Sequence, residues 1–181
     1  MEEKIKYFEG GGKQYTDEAL SIAKEYADAH SINSVIVAST TGHTAKKAEE
    51  LFKGKNIIIA THVHGFREEN AIEFPKELRK ELESKGAKVL TAAHAMGGVN
   101  GLVEGSIGSI IANTLRVFCQ GVKVCVEIAA EAADAGLVRT DEEVIAVAGT
   151  GRGADTVLVI QPQISRKLFE MNVKKVLAMP V

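Results

Sequence analysis

Ser34-Val35-Ile36-Val37-Ala38-Ser39-Thr40-Thr41-Gly42-His43-Thr44-Ala45 is the stretch whose reading decides the fold. It opens on a short apolar run bounded by polar side chains, the signature of a strand buried on both faces. Beyond the hydroxyl-rich connection, Ala45, Ala48, Leu51 and Phe52 recur at helical spacing. The alternation then repeats. Residues 56–60 read as a second buried strand, Pro75 suits the first position of a helix carrying Leu78 and Leu82, and Lys88-Val89-Leu90-Thr91 reads as a third strand. Strand, helix, strand, helix, strand with short connections requires parallel pairing through right-handed crossovers. Upstream, Ala19, Ile22, Ala23, Tyr26 and Ala27 share one face of a helix that Thr16 caps and that ends near His30, a solvent-facing capping residue.

The stretch at about 97–137 has a different rhythm and reads as a helical insertion in a single α/β domain spanning 1–181. Leu102, Ile107, Ile110, Ile111, Leu115 and Phe118 lead into an almost continuously apolar segment, 122–133. Two adjoining helices are expected, at least one of them largely buried. Apolar runs at 144–148, 156–160 and 176–179 supply three further strands.

Composition excludes several function classes. With 45% hydrophobic and 25% charged residues the chain has ordinary globular usage rather than that of a disordered one. The formal net charge of −2, with scattered basic residues, lacks the footprint of a nucleic-acid binder. No apolar run is long enough to span a bilayer and the start does not read as a secretion signal, so no membrane partner and a cytoplasmic location are expected. Cys119 and Cys125 match neither a Cys-x-x-Cys motif nor a disulfide framework and read as reduced packing residues. The apolar segment 122–133 leaves room for a homo-oligomer interface.

In open α/β sheets ligands gather beyond the carboxyl ends of the strands. After the strand 34–38 come Ser39, Thr40, Thr41, Gly42, His43 and Thr44, opening a helix. Unpaired amides at a helix start, its dipole and several hydroxyls favour a phosphate. A single Ser or Thr would suffice for a plain cap; this loop has four. Between two later strands, Thr150, Gly151, Arg152 and Gly153 form a Gly-rich loop in which an arginine fork could meet the same anion, although alone it reads as a turn.

The two loops together carry a resemblance. Val35-Ile36-Val37-Ala38-Ser39-Thr40-Thr41-Gly42-His43-Thr44-Ala45, followed by Ile57-Ile58-Ile59-Ala60-Thr61, resembles the carboxy-terminal effector domain of pyruvate kinase, where a Ser/Thr-Gly loop opens a helix. Val144-Ile145-Ala146-Val147-Ala148-Gly149-Thr150 with its glycine-arginine loop is similar to the second clamp of that domain. The resemblance is carried by roughly 33–61 and 142–181 and not by 62–141. It implies a three-layer α/β/α sandwich with a mostly parallel sheet, one antiparallel strand near the carboxy end, and two loops enclosing the phosphates of a sugar phosphate. The catalytic barrel of pyruvate kinase has no counterpart in this sequence, so the chain resembles free-standing effector-domain-like proteins and kinase activity is not expected.

Two more strand ends carry histidines. Thr61-His62-Val63-His64-Gly65-Phe66 and Ala93-His94-Ala95-Met96-Gly97-Gly98 hold His62, His64 and His94, the candidate catalytic residues, and Gly65, Phe66, Met96 and Gly97 beside them. His62 and His64 would share a face if the strand continued, with His94 alongside. The absence of an acidic or thiol partner at matching spacing argues for ligand donors rather than metal ligands. A phosphate grip flanked by histidines, Phe66 and Met96 suits a ligand with a phosphate at one end and a flat, apolar body at the other, which points to flavin mononucleotide and a flavin-dependent redox role. A regulatory module sensing a sugar phosphate is the alternative, and a zinc hydrolase on the three histidines a second one.

Overall fold

The computed structural model describes residues 4–181. In chain order the elements are β1 (Lys6–Phe8), α1 (Thr16–Ala29), β2 (Ser34–Ala38), α2 (His43–Leu51), β3 (Asn56–Thr61), α3 (Lys76–Ser84), β4 (Lys88–Thr91), α4 (Ile107–Arg116), α5 (Gln120–Asp134), β5 (Val144–Ala148), β6 (Thr156–Gln161) and β7 (Asn172–Pro180). Short 3₁₀ turns occupy Lys13–Tyr15, Val99–Leu102 and Ser165–Glu170.

The seven strands form one sheet in the order β1-β7-β6-β5-β2-β3-β4. Every neighbouring pair is parallel except those made by β6, which runs antiparallel to both β5 and β7. The period-2 alternation of the strands divides their apolar residues between two cores. Val35, Val37, Ile57, Ile59, Ile145 and Val147 face one layer, where Leu20 and Ala23 of α1, Ala45, Ala48 and Phe52 of α2, and Leu78 and Leu82 of α3 cover them. Ile36, Ile58, Ala146, Leu158 and Ile160 face the other layer, covered by Val122, Cys125, Ile128, Ala129 and Ala132 of α5. Burial on both faces explains the runs of Val and Ile, each contributing about 1.5–3 kcal/mol when fully buried. The result is the α/β/α sandwich with a mostly parallel sheet and one antiparallel strand.

Several local expectations need correction. Thr16 is the first residue of α1 and does not cap it: its hydroxyl donates to the Lys13 carbonyl at 2.7 Å and accepts from the Ala154 amide at 3.1 Å. Pro75 occupies the N-cap, with φ −63° and ψ 128°, and α3 starts at Lys76. The apolar segment 122–133 packs within the chain against the sheet and α4, with Val124 partly exposed. Among the exposed apolar side chains, Val99, Leu102, Val103, Ile107, Ile110, Val117 and Phe118 lie on α4 or next to it in the chain, and Ile5, Tyr7, Phe66, Phe169, Val173 and Val181 lie elsewhere. Among the described residues no helix is long and apolar enough to cross a membrane.

Candidate functional site

From β2 the chain proceeds outward through β3 to β4 and then returns, by way of α5, to β5 on the other flank of β2. The strand order therefore reverses between β2 and β5, which are in register at Val37 and Val147. Such a reversal opens a crevice beyond the carboxyl ends of the two strands. The loops following β2 and β5 are its walls.

In the first wall the Ser39 amide donates to the Ala60 carbonyl at 2.9 Å, and the Ser39 hydroxyl accepts from the Ala45 amide at 3.2 Å. Ser39 is thus the structural cap, holding the start of α2 against the end of β2. The Lys46 amide closes the first helical turn on the Gly42 carbonyl. Among the described residues the amides of Thr40, Thr41, Gly42, His43 and Thr44 have no acceptor, nor do the hydroxyls of Thr41 and Thr44. Such unpaired donors at a helix start are suited to an anion. Gly42 makes the geometry attainable: its φ of +90° is left-handed, and a Cβ there would stand 2.1 Å from Leu78 Cδ2. His43, half-buried, has its imidazole pKa lowered by burial and by Lys13 and Lys47, against the opposing pull of Asp17, so it is neutral at pH 7. A groove of about 460 Å³ beside Thr41 and His43 is lined also by Lys46, Pro75, Glu77, Leu78 and Glu81.

The second wall is more than a turn. Asp155, fully buried, accepts from the Gly12 amide at 2.9 Å and the Thr150 amide at 2.8 Å through one carboxylate oxygen, and from the Thr156 hydroxyl at 2.8 Å through the other. The Thr150 amide is therefore spent inside the loop. Gly153 lies against Lys13 and Thr16, where a Cβ would approach the Lys13 Cα to 2.5 Å. Lys13 consequently joins the two walls: it packs beneath Gly153 and its charge is felt at His43. The Arg152 side chain is exposed, and among the described residues it has no ion-pair partner, so it is free to turn toward an anion.

The histidines divide. β3 ends at Thr61, so strand alternation does not carry His62 and His64 onto one face; His64 is exposed and outside the ring contacts. His62 is oriented at both nitrogens, with Nδ1 2.7 Å from Glu73 Oε2 and Nε2 3.3 Å from Thr40 Oγ1. With the carboxylate accepting from Nδ1–H, Nε2 is left to accept from the Thr40 hydroxyl. Glu73 also pairs with Arg67 at 3.0 Å. The rings of His62, Phe66 and His94 stand 4.2, 5.2 and 5.6 Å apart and form an aromatic shelf, on which Phe66 remains 51% exposed. His64 stands apart from the other two rings, and among the described residues no group of three metal-ligating side chains converges. Met96 is 2% exposed and packs with Ala112 and Val126, so it is a core residue rather than a ligand contact. Gly97 belongs to the turn at His94, closed by the Gly98 amide on the His94 carbonyl at 2.9 Å.

Tertiary packing adds residues that the sequence reading passed over. Besides Lys13, Glu73 and Arg67, α5 brings Lys123, Glu127 and Glu131 under the loop that carries His94. Glu127 accepts from the Met96 amide at 3.1 Å and Glu131 from the Ala95 amide at 3.2 Å, while Lys123 pairs with Glu127. Burial, reinforced by the Glu127 charge, pushes the Glu131 carboxyl up to about 8. His94 is held below the ordinary imidazole value by burial, against the opposing pull of Glu127, with Lys123 and His62 adding to the lowering. A signal for these three was legible: they are charges at i, i+4 and i+8 within the otherwise apolar stretch 121–133.

The sequence profile of the family described as "Pyruvate kinase, alpha/beta domain" matches residues 17–160. Two crystal structures of pyruvate kinase from Cryptosporidium parvum are similar to this chain at 16% identity, with TM-scores of 0.42 and 0.40. Each alignment covers 80% of this chain and 22% of the pyruvate kinase, so the chain spans under a quarter of the length of those enzymes. The profile match runs from the first turn of α1 to the end of β6 and takes in both walls of the crevice, and by it the chain belongs to the pyruvate kinase alpha/beta domain family.

Proposed function

We propose that this protein binds a small phosphorylated ligand with a flat ring, flavin mononucleotide, with its phosphate on the 39–44 loop and its ring against the shelf of His62, Phe66 and His94. One observation carries the reading: unpaired amides and threonine hydroxyls stand next to a half-exposed aromatic shelf, linked to it by the Thr40–His62 hydrogen bond. A phosphate needs the first and a flat apolar body the second. Arg152 and Lys13 add positive charge from the opposite wall. Bound flavin would supply redox chemistry. The chain would supply the grip, the ring shelf and, in the neutral His94, a group able to take up a proton beside the ring. Both cysteines are unpaired, which supports a reducing, cytoplasmic setting.

Calorimetric titration with flavin mononucleotide, riboflavin and a sugar bisphosphate tests the proposal. Flavin mononucleotide is expected to bind, and riboflavin, which lacks the phosphate, to bind far more weakly. A protein that binds the sugar phosphate and ignores the flavin is the metabolite sensor instead. Binding of none of the three refutes the site.

A further inference from the structure

Lys123, Glu127 and Glu131 are 6%, 4% and 4% exposed, on a helix whose other buried residues are Gly, Val, Cys, Ile and Ala. Three ionisable groups inside an apolar layer are costly unless each finds partners. Their partners are specific. Glu127 and Glu131 take the amides of Met96 and Ala95, the two residues directly after His94, and Lys123 satisfies the second oxygen of Glu127. Two successive peptide units are thereby fixed to α5, and with them the backbone on which the His94 ring stands edge-on to His62.

We infer that Glu127 and Glu131 are positioning residues, a carboxylate clamp on the loop after β4 that holds His94 against the ligand ring; the inference rests on the flavin-binding reading above. The charged groups facing Glu131 are Glu127, Lys123 and Asp134 on its own helix, and from the loop the Ala95 amide; His94, with His62 behind it, faces the Glu127 end. Burial beneath the loop, with the Glu127 charge, holds the Glu131 proton up to about 8 against the Ala95 amide, which favours the ionised form; ionisation therefore favours the released loop, in which that carboxylate reaches water. The clamp therefore loosens progressively as pH rises from the ordinary carboxyl range to about 8 and levels off above it.

The test compares wild type, Glu131→Gln and Glu131→Leu in fluorescence titrations with flavin mononucleotide at pH 7 and pH 9, on either side of the Glu131 value. Wild-type affinity is expected to weaken roughly tenfold at the higher pH, a coupling of ordinary size. Glu131→Gln keeps an oxygen for the Ala95 amide and cannot ionise, so it retains the neutral-pH affinity and loses the alkaline weakening. Glu131→Leu loses affinity at both pH values. Protection factors of the Ala95 and Met96 amides, measured by hydrogen exchange on the free protein, give a second readout that needs no ligand. They are expected to fall in Glu131→Leu and, in wild type, as pH rises toward about 8, and to hold in Glu131→Gln. If flavin mononucleotide does not bind but the protection factors follow this pattern, the ligand reading fails and the clamp stands. If Glu131→Leu matches wild type in protection, or Glu131→Gln keeps the wild-type alkaline response, the clamp is refuted.

Discussion

Gly42→Ala isolates the feature on which the 39–44 loop depends. A Cβ at this position would lie 2.1 Å from Leu78 Cδ2, where carbon atoms prefer about 3.5–4.0 Å, so Leu78 would have to retreat by well over an ångström. Leu78 is 6% exposed and packed in the α1–α3 core but also borders the groove beside Thr41, so its retreat costs core packing without being blocked. Overpacking of this kind costs about 1–3 kcal/mol. The backbone adds its own cost, because φ +90° is left-handed and a residue with a Cβ loses about 1–2 kcal/mol there. Gly42→Ala is therefore expected to destabilise by about 2–5 kcal/mol, a fall in Tm of about 4–20 °C for a domain of this size. The two contributions separate in a double-mutant cycle with Leu78→Ala, which removes the obstructing methyl at its own cost of about 2–5 kcal/mol. In that background Gly42→Ala should cost only the backbone contribution, giving a coupling of about 1–3 kcal/mol, read from urea midpoints at constant m. Equal costs of Gly42→Ala in the two backgrounds would refute the close approach of α3 to the loop.

Replacing Thr41 and Thr44 together by Val should weaken flavin mononucleotide binding by about 2–4 kcal/mol and leave riboflavin binding unchanged; equal losses for both ligands would remove the loop from the phosphate. Arg152→Ala should weaken flavin mononucleotide alone, with Arg152→Lys intermediate because it keeps the charge and loses the fork; wild-type affinity in both variants would reduce the second wall to scaffold. Stability should fall as pH rises from about 4.5 to about 8, because the folded Glu131 keeps its proton through that window while the unfolded carboxyl releases it, so the unfolded state binds fewer protons. Urea unfolding of Glu131→Gln should show that limb flattened, and an unchanged limb would assign it elsewhere. On the acid side the sign reverses for His94: its lowered pKa means stability is lost as pH falls below about 6.5, and His94→Gln should remove that loss.

The parallel half of the sheet was legible because burial on both faces leaves an unambiguous trace, uninterrupted runs such as Val35-Ile36-Val37 and Ile57-Ile58-Ile59. The antiparallel β6 came from the family resemblance rather than from pattern. β1, three residues at the sheet edge with Phe8 alone buried, left no periodicity to read, and only its register with β7 reveals it. The 39–44 loop was legible for the same local reason as the strands, since a helix start, its glycine and its hydroxyls are adjacent in sequence.

What the sequence determined by itself, then, is everything that near neighbours along the chain decide: the strand runs, the helix faces, and the 39–44 loop with more hydroxyls than a cap requires. Tertiary structure decided which of those hydroxyls are free, assigning Ser39 to Ala45 and Thr40 to His62 and leaving Thr41 and Thr44 unpaired. It also separated His64 from His62 by ending β3 at Thr61, sent Met96 into the core, and brought Glu73, Lys13 and the α5 carboxylates to the site. The physical reason is range. Backbone sterics and hydrophobic periodicity act over a few residues, whereas the pairing of a buried charge or hydroxyl is settled by whichever partner the packed sheet and helices place within about 3 Å of it.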